Sequence, residues 1–188
     1  IDATKTRVLQ VQNDRFNYGW RKITPDDRYP LYENILPEFE REWAYFQRFL
    51  RENDLPPANP QGLEVTYINH ILRGAGWNNL GELGKVFRAW CGDCLVGDRG
   101  FQSLANASIT TVYTTADAKQ VRYDIHPGIR ATDGQELLQF TVTVSQFGPF
   151  AELNPIVQWF NAAQKVLVDS FVQYTTPDVQ NQVWGRQA

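Results

Sequence analysis

The sequence predicts an α+β fold in which an antiparallel sheet of about six strands carries two main helices packed on one face. Three observations predict it. Apolar residues alternate with period two near the start, in the middle and across residues 104–147. Two long segments, 31–52 and 154–174, instead carry apolar stripes at helical spacing. Between paired strand segments stand two tight-turn signals, Asn13-Asp14 and Asp133-Gly134. With 188 residues, 43% of them hydrophobic, the chain is long enough to bury one core as a single domain and too apolar for a disordered tail.

Taken in order, Leu9 and Val11 fall on one side of a first strand, and Phe16, Tyr18 and Trp20 repeat the period after Asn13-Asp14. Asn and Asp tolerate the positive φ of a two-residue turn, so a hairpin is expected. Residues 31–52 follow as a helix with Phe39, Trp43, Phe46 and Leu50 on one stripe, while Glu38, Arg41, Glu42, Arg48 and Glu52 face water. Pro37 either opens this helix or kinks it after a short leading turn, because proline lacks the N–H donor. Three prolines then make 55–62 a loop.

Residues 63–72 read as a strand partly covered on both sides. Leu63, Val65, Tyr67, Asn69 and Ile71 share one face; Glu64, Thr66, Ile68, His70 and Leu72 share the other. A weaker helical stretch at 80–90 carries Leu83, Val86, Phe87 and Trp90, and the run 92–100 breaks it. Strands at 104–115, 120–132 and 136–147 form a meander, with Asp133-Gly134 as a two-residue turn and Pro127 marking a bulge or an edge. Asn154-Pro155 then caps a long helix striped by Ile156, Phe160, Ala163, Leu167, Phe171 and Tyr174. Thr176-Pro177-Asp178 repeats the start signal for a short terminal helix with Val179, Val183 and Trp184.

Several runs occur together: Val11-Gln12-Asn13-Asp14-Arg15-Phe16, Trp20-Arg21-Lys22, Tyr29-Pro30 with Tyr32-Glu33, Pro37-Glu38-Phe39, and Val65-Thr66-Tyr67-Ile68-Asn69-His70-Ile71. The ending Phe171 through Thr175-Thr176-Pro177 to Trp184-Gly185-Arg186 joins them. Together they resemble a sporadically distributed family of bacterial proteins of unknown function, across most of the chain but weakly from Gly74 to Gly100. The resemblance implies accessory or defence loci, and it implies no catalytic residues. Family members usually carry a strand and a helix ahead of this hairpin. The chain has no methionine and opens at Ile1, so such a preceding segment is expected.

Charge narrows the function classes. Eighteen basic residues against twenty-one acidic ones give a net charge of −3, which disfavours a dedicated nucleic-acid binder. No apolar run approaches the ~18 residues of a membrane span, and no signal-like segment opens the chain, so a soluble, cytoplasmic protein without a membrane partner is expected.

The motifs that carry chemistry are few. Cys91-Gly92-Asp93-Cys94 has the spacing of half a zinc site, with Cys91 and Cys94 as metal ligands; His70 and His126 would complete the set by count, although they lie at non-finger spacing. No other cofactor is indicated. His70 stands near a glycine-bearing turn, where it is a candidate base or ligand-binding group. The carboxylates at Asp26-Asp27 and along Glu38, Glu40 and Glu42 read as surface. No nucleophile elbow or phosphate loop is present. Basic residues Lys5, Arg7, Arg15, Arg21 and Lys22 interleave with the hairpin aromatics, a pattern that suits base stacking but is met more simply by packing under the first helix.

Six Trp, eight Tyr and eleven Phe remain as an aromatic surplus suited to an interface or a pocket. The leading expectation is therefore a non-catalytic module that self-associates or docks on a protein partner through Trp159, Val166 and Trp184. The alternative is a small-molecule-binding or hydrolytic domain, with a cavity between the sheet and the C-terminal helix and Tyr67 and His70 at its mouth.

Overall fold

A computed structural model describes residues 2–24, 26–90, 103–150 and 152–185. The fold is α+β, with six antiparallel strands and two long helices packed on sheet. The strands divide between a two-stranded and a four-stranded sheet, and the chain forms two compact units, one of residues 1–61 and 149–159, the other of residues 62–148 and 160–188.

In the first unit, β1 (Arg7–Val11) pairs with β2 (Phe16–Trp20), Val11 opposite Phe16, and Gln12 N–H donates to the Arg15 carbonyl at 2.9 Å across Asn13-Asp14. The loop has the two residues that the sequence predicts, but neither Asn13 nor Asp14 takes the positive φ expected of a primed turn. Helix α1 (Tyr32–Glu52) lays its apolar stripe on the hairpin: the Phe16 ring meets Phe39, Trp43 and Phe46 at centroid distances of 6.0, 5.2 and 5.3 Å. Trp43 is the buried residue of that stripe, and truncating such a ring costs about 3–5 kcal/mol. Pro37 sits inside α1 after a leading turn.

The end of α1 is a Schellman cap. Asp54 adopts φ 53°, Leu55 N–H donates to the Leu50 carbonyl at 2.9 Å, and Asp54 N–H donates to the Arg51 carbonyl at 3.3 Å. Glu38 departs from the sequence expectation of a solvated side chain. It accepts a bidentate bond from Arg7 at 2.5 and 3.1 Å and a third from the Tyr18 hydroxyl at 2.7 Å.

The second unit is built on an antiparallel sheet in the order β3-β6-β5-β4, with β3 at Gly62–Leu72, β4 at Ile109–Thr114, β5 at Gln120–Ile129 and β6 at Glu136–Phe147. Register follows the period-two pattern. One face carries the row Tyr67, Val142, Tyr123, Thr111 and the row Asn69, Phe140, Ile125, Ile109. The other carries Ile68, Thr141, Asp124 and Thr110, with His70, Gln139 and His126 one step along.

Helix α3 (Leu153–Tyr174) covers the first of these faces. Phe171 stacks on Phe140 at 5.6 Å, Tyr174 stacks on Tyr123 at 4.4 Å, and the Tyr174 and Thr111 hydroxyls lie 3.3 Å apart. Phe140, Val142, Val144 and Leu167 are almost wholly buried, so the hydrophobic core of this unit lies between β6 and α3.

Three expected elements are altered. In place of a helix over 80–90 there is a 3-10 turn (Leu80–Glu82) and a short α2 (Leu83–Val86); Phe87 is extended and bridges Thr175. Two glycines, Gly81 and Gly84, weaken the helix, and burial of Phe87 is better served by a strand-like bridge. The 133–134 signal closes a four-residue loop, 131–134, because Arg130 N–H donates to the Gln135 carbonyl at 2.8 Å. Strand β4 begins at 109 and β5 ends at 129, both inside the expected bounds. Pairing of β4 stops at Ile125, so among the described residues Pro127 has no strand beside it on that side and its missing donor breaks no bond there. No helix among the described residues is long and apolar enough to cross a membrane.

Candidate functional site

The second unit contains a cavity of about 360 Å³ beside edge strand β3. Three elements build it. Strand β3 supplies Tyr67 and Asn69 from its core face, next to Val142 of β6. From α3 come Leu167 and Phe171 of the core stripe and their neighbours Val168 and Val172. The C-terminal π-helical turn (Val179–Val183) and its end contribute Gln180 and Trp184.

Local bonding explains why the terminal turn stands where it does. Thr175 N–H donates to the Phe171 carbonyl, and Thr176 N–H to the Val86 carbonyl at 2.9 Å, so the chain leaves α3 pinned to the segment after α2. The Gln180 amide nitrogen donates to the Val172 carbonyl and to Thr175 Oγ1, both at 2.8 Å. The bond to Val172 caps a carbonyl that the end of a helix leaves open. Trp184 lies on Phe171 at 5.6 Å, tilted 32°, and its indole N–H donates to the Ala75 carbonyl at 3.2 Å.

The 73–77 loop holds the other side of that turn. Gly76 has φ +103° and presses so closely on Val179 that a Cβ there would stand 2.4 Å from its Cγ2. Only glycine fits.

Among the described residues the lining is aromatic and aliphatic apart from Asn69, Gln180 and the Tyr67 hydroxyl, and it holds no Asp, Glu, Lys, Arg, His, Ser or Cys. Such a surface can enclose and orient a ligand; it presents no nucleophile with an adjacent base. The Asn69 amide nitrogen donates to the Phe140 carbonyl at 3.4 Å, and its Oδ1 remains as an acceptor with no donor among the described residues. In the core alongside, burial raises the Tyr174 phenol above its ordinary value, against a smaller lowering by the Thr111 hydrogen bond.

Of the sequence-predicted site residues, Tyr67 and Trp184 line this cavity, and His70 does not. Period two puts His70 on the opposite face of β3 from Tyr67 and Asn69, exposed and in register with Gln139 and His126, so its place at the cavity mouth is corrected. Trp159 is 7% exposed and lies outside this lining. Val166 is half-buried on α3. Cys91 and Cys94 lie outside the described residues, and among the described residues no group of three or more His, Cys, Asp or Glu is placed to hold a metal.

Asn69, Phe171, Val172 and Gln180 were not singled out by the sequence, although one signal was present. Asn69 interrupts the apolar face Leu63, Val65, Tyr67, Ile71, and an amide on a core face needs a partner or a ligand.

The basic hairpin of the first unit is largely self-satisfied. Arg7 is bound to Glu38, Arg15 to Asp14, and Arg21 Nε donates to the Lys5 carbonyl. The Arg7 hydrogen bonds hold the Glu38 carboxyl below its ordinary range, while burial, and then the bond to Glu38, push the Tyr18 phenol up to about 12. Phe16 packs on the α1 stripe, so this cluster clamps the helix to the hairpin. No protein-family model matches the chain, and neither a curated protein nor a solved structure matches it significantly.

Proposed function

We propose that this protein binds a small molecule in the cavity walled by β3, β6, α3 and the terminal turn. The carrying observation is a space of about 360 Å³ that brings apolar and aromatic walls together with three polar side chains, two from β3 and one from the terminal turn. That combination, with a volume in the lower part of the ~300–1,000 Å³ ligand-pocket range, is what a ligand site requires. The absence of reactive groups among its lining residues favours binding over turnover. Native mass spectrometry of gently purified protein tests the reading: a small adduct is expected, and it is expected to vanish in Val168→Trp, whose indole fills the space from the partly exposed rim. An adduct retained in a folded Val168→Trp variant overturns this site.

Self-association is a second reading, favoured by the outer face of the four-stranded sheet. Ile68 and Val112 stand 59% and 52% exposed there, as apolar side chains that a second copy could cover. Light scattering over a wide concentration range is expected to show a dimer that Ile68→Lys abolishes; a monomer at every concentration refutes it.

A further inference from the structure

Resting on the small-molecule reading, we infer that the cavity takes a neutral molecule with a flat ring system and one N–H or O–H donor, which is held by Asn69 Oδ1. Three features of the lining carry this.

Charge comes first. A buried ion needs a counter-charge or several hydrogen bonds, and among the described residues the cavity lining contains no charged side chain. A carboxylate or ammonium ligand would lose its hydration without replacement. A neutral one loses little.

Ring shape follows from the walls. Tyr67, Phe171 and Trp184 reach the cavity from three different elements, and two of the rings are held firmly. Phe171 is stacked between Phe140 and Trp184, at 5.6 Å from each, and the Trp184 indole is tethered to the Ala75 carbonyl. Fixed aromatic surfaces reward a flat aromatic guest through offset or edge contacts, at little entropic cost to the protein. The volume suits one or two fused rings.

The donor follows from hydrogen-bond accounting. Asn69 lines the cavity and uses its amide nitrogen on the Phe140 carbonyl, and its Oδ1 has no donor partner among the described residues. An acceptor so placed selects a ligand that brings a proton. A site built around such a group rejects an isostere lacking the donor, because the acceptor is then desolvated and unpaired.

The experiment compares three probes on isotope-labelled protein by NMR: indole, benzofuran and indole-3-acetate. Benzofuran is nearly isosteric with indole and replaces N–H by oxygen; indole-3-acetate adds a negative charge. Indole is expected to shift the Asn69 side-chain amide and the Trp184 indole N–H resonances, with benzofuran about tenfold weaker and indole-3-acetate weaker still. Asn69→Leu is expected to erase the difference between indole and benzofuran while benzofuran still binds.

Equal binding of indole and benzofuran, or tighter binding of indole-3-acetate, overturns the ligand class and leaves the cavity as a binding site. If no probe moves these resonances, and the purified protein carries no adduct sensitive to Val168→Trp, both the class and the site are refuted.

Discussion

The Tyr123 hydroxyl donates a 2.8 Å hydrogen bond to Ser170 Oγ within the core between β5 and α3. Both groups are buried, so each satisfies a polar atom that water cannot reach. Together with the Tyr123 and Tyr174 stack, it fixes α3 along the sheet and so sets the distance between Phe171 and β3 across which the cavity opens. Tyr123→Phe is expected to cost about 1–3 kcal/mol, since it leaves Ser170 without its donor. In urea denaturation the double variant Tyr123→Phe/Ser170→Ala is expected to lose less than the sum of the singles; strict additivity would show that the pair is not coupled.

Gly76 is the tightest backbone position beside the cavity. Gly76→Ala combines a strained φ of +103° with the 2.4 Å approach to Val179, and is expected to destabilise by more than about 1–2 kcal/mol. The terminal turn must shift to accommodate it, so the Trp184 indole N–H resonance should move as well. Adding Val179→Ala is expected to restore that resonance without restoring full stability, because the φ penalty remains and a buried methyl pair is lost.

Ala118 turns between β4 and β5 at φ 64°, in the left-handed region. Ala118→Gly is expected to raise stability by about 0.5–1 kcal/mol and Ala118→Val to lower it, both read from denaturation midpoints. Asp54, at φ 53° in the Schellman cap of α1, should gain less from glycine because Asp tolerates this region better than Ala.

The Arg7, Tyr18 and Glu38 cluster predicts pH dependence at both ends of the scale. Glu38 is held below its ordinary value of 4.5, chiefly by the Arg7 hydrogen bond, so its contribution is present above that value and is lost as pH falls through the lowered one. Tyr18 is raised from 10.0 to about 12, so its contribution is present below pH 10 and is lost as pH rises toward 12. Subtracting the Glu38→Gln melting curve from the parent should therefore remove part of the acid limb, and subtracting Tyr18→Phe part of the alkaline limb. A Glu38→Gln difference that does not change across the acid range would contradict the cluster's role.

The patterns that survived from chain to fold are those set by local chemistry. Period two in 62–72 and 136–147, the place of the Asn13-Asp14 loop and the α1 stripe all depend on residues a few positions apart, whereas α3 starts at Leu153 and takes the expected cap Asn154 inside the helix. Where a distant segment competed, local reading failed. Phe87 has helical spacing with Leu83, yet it is extended because Thr175 offers it a bridge, and Glu38 has surface spacing on α1, yet Arg7 and Tyr18 draw it in.

The candidate site divides in the same way. Alternation along β3 by itself determined that Tyr67 and Asn69 share a face and that His70 takes the other. Only the tertiary structure decided which face was covered, and that Phe171, Gln180 and Trp184 would meet those two residues around one space. The reason is physical: alternation and helical stripes follow from backbone geometry within a segment. The cavity arises from the packing of segments about a hundred residues apart in sequence, where side-chain volumes and terminal hydrogen bonds decide what is filled and what is left open.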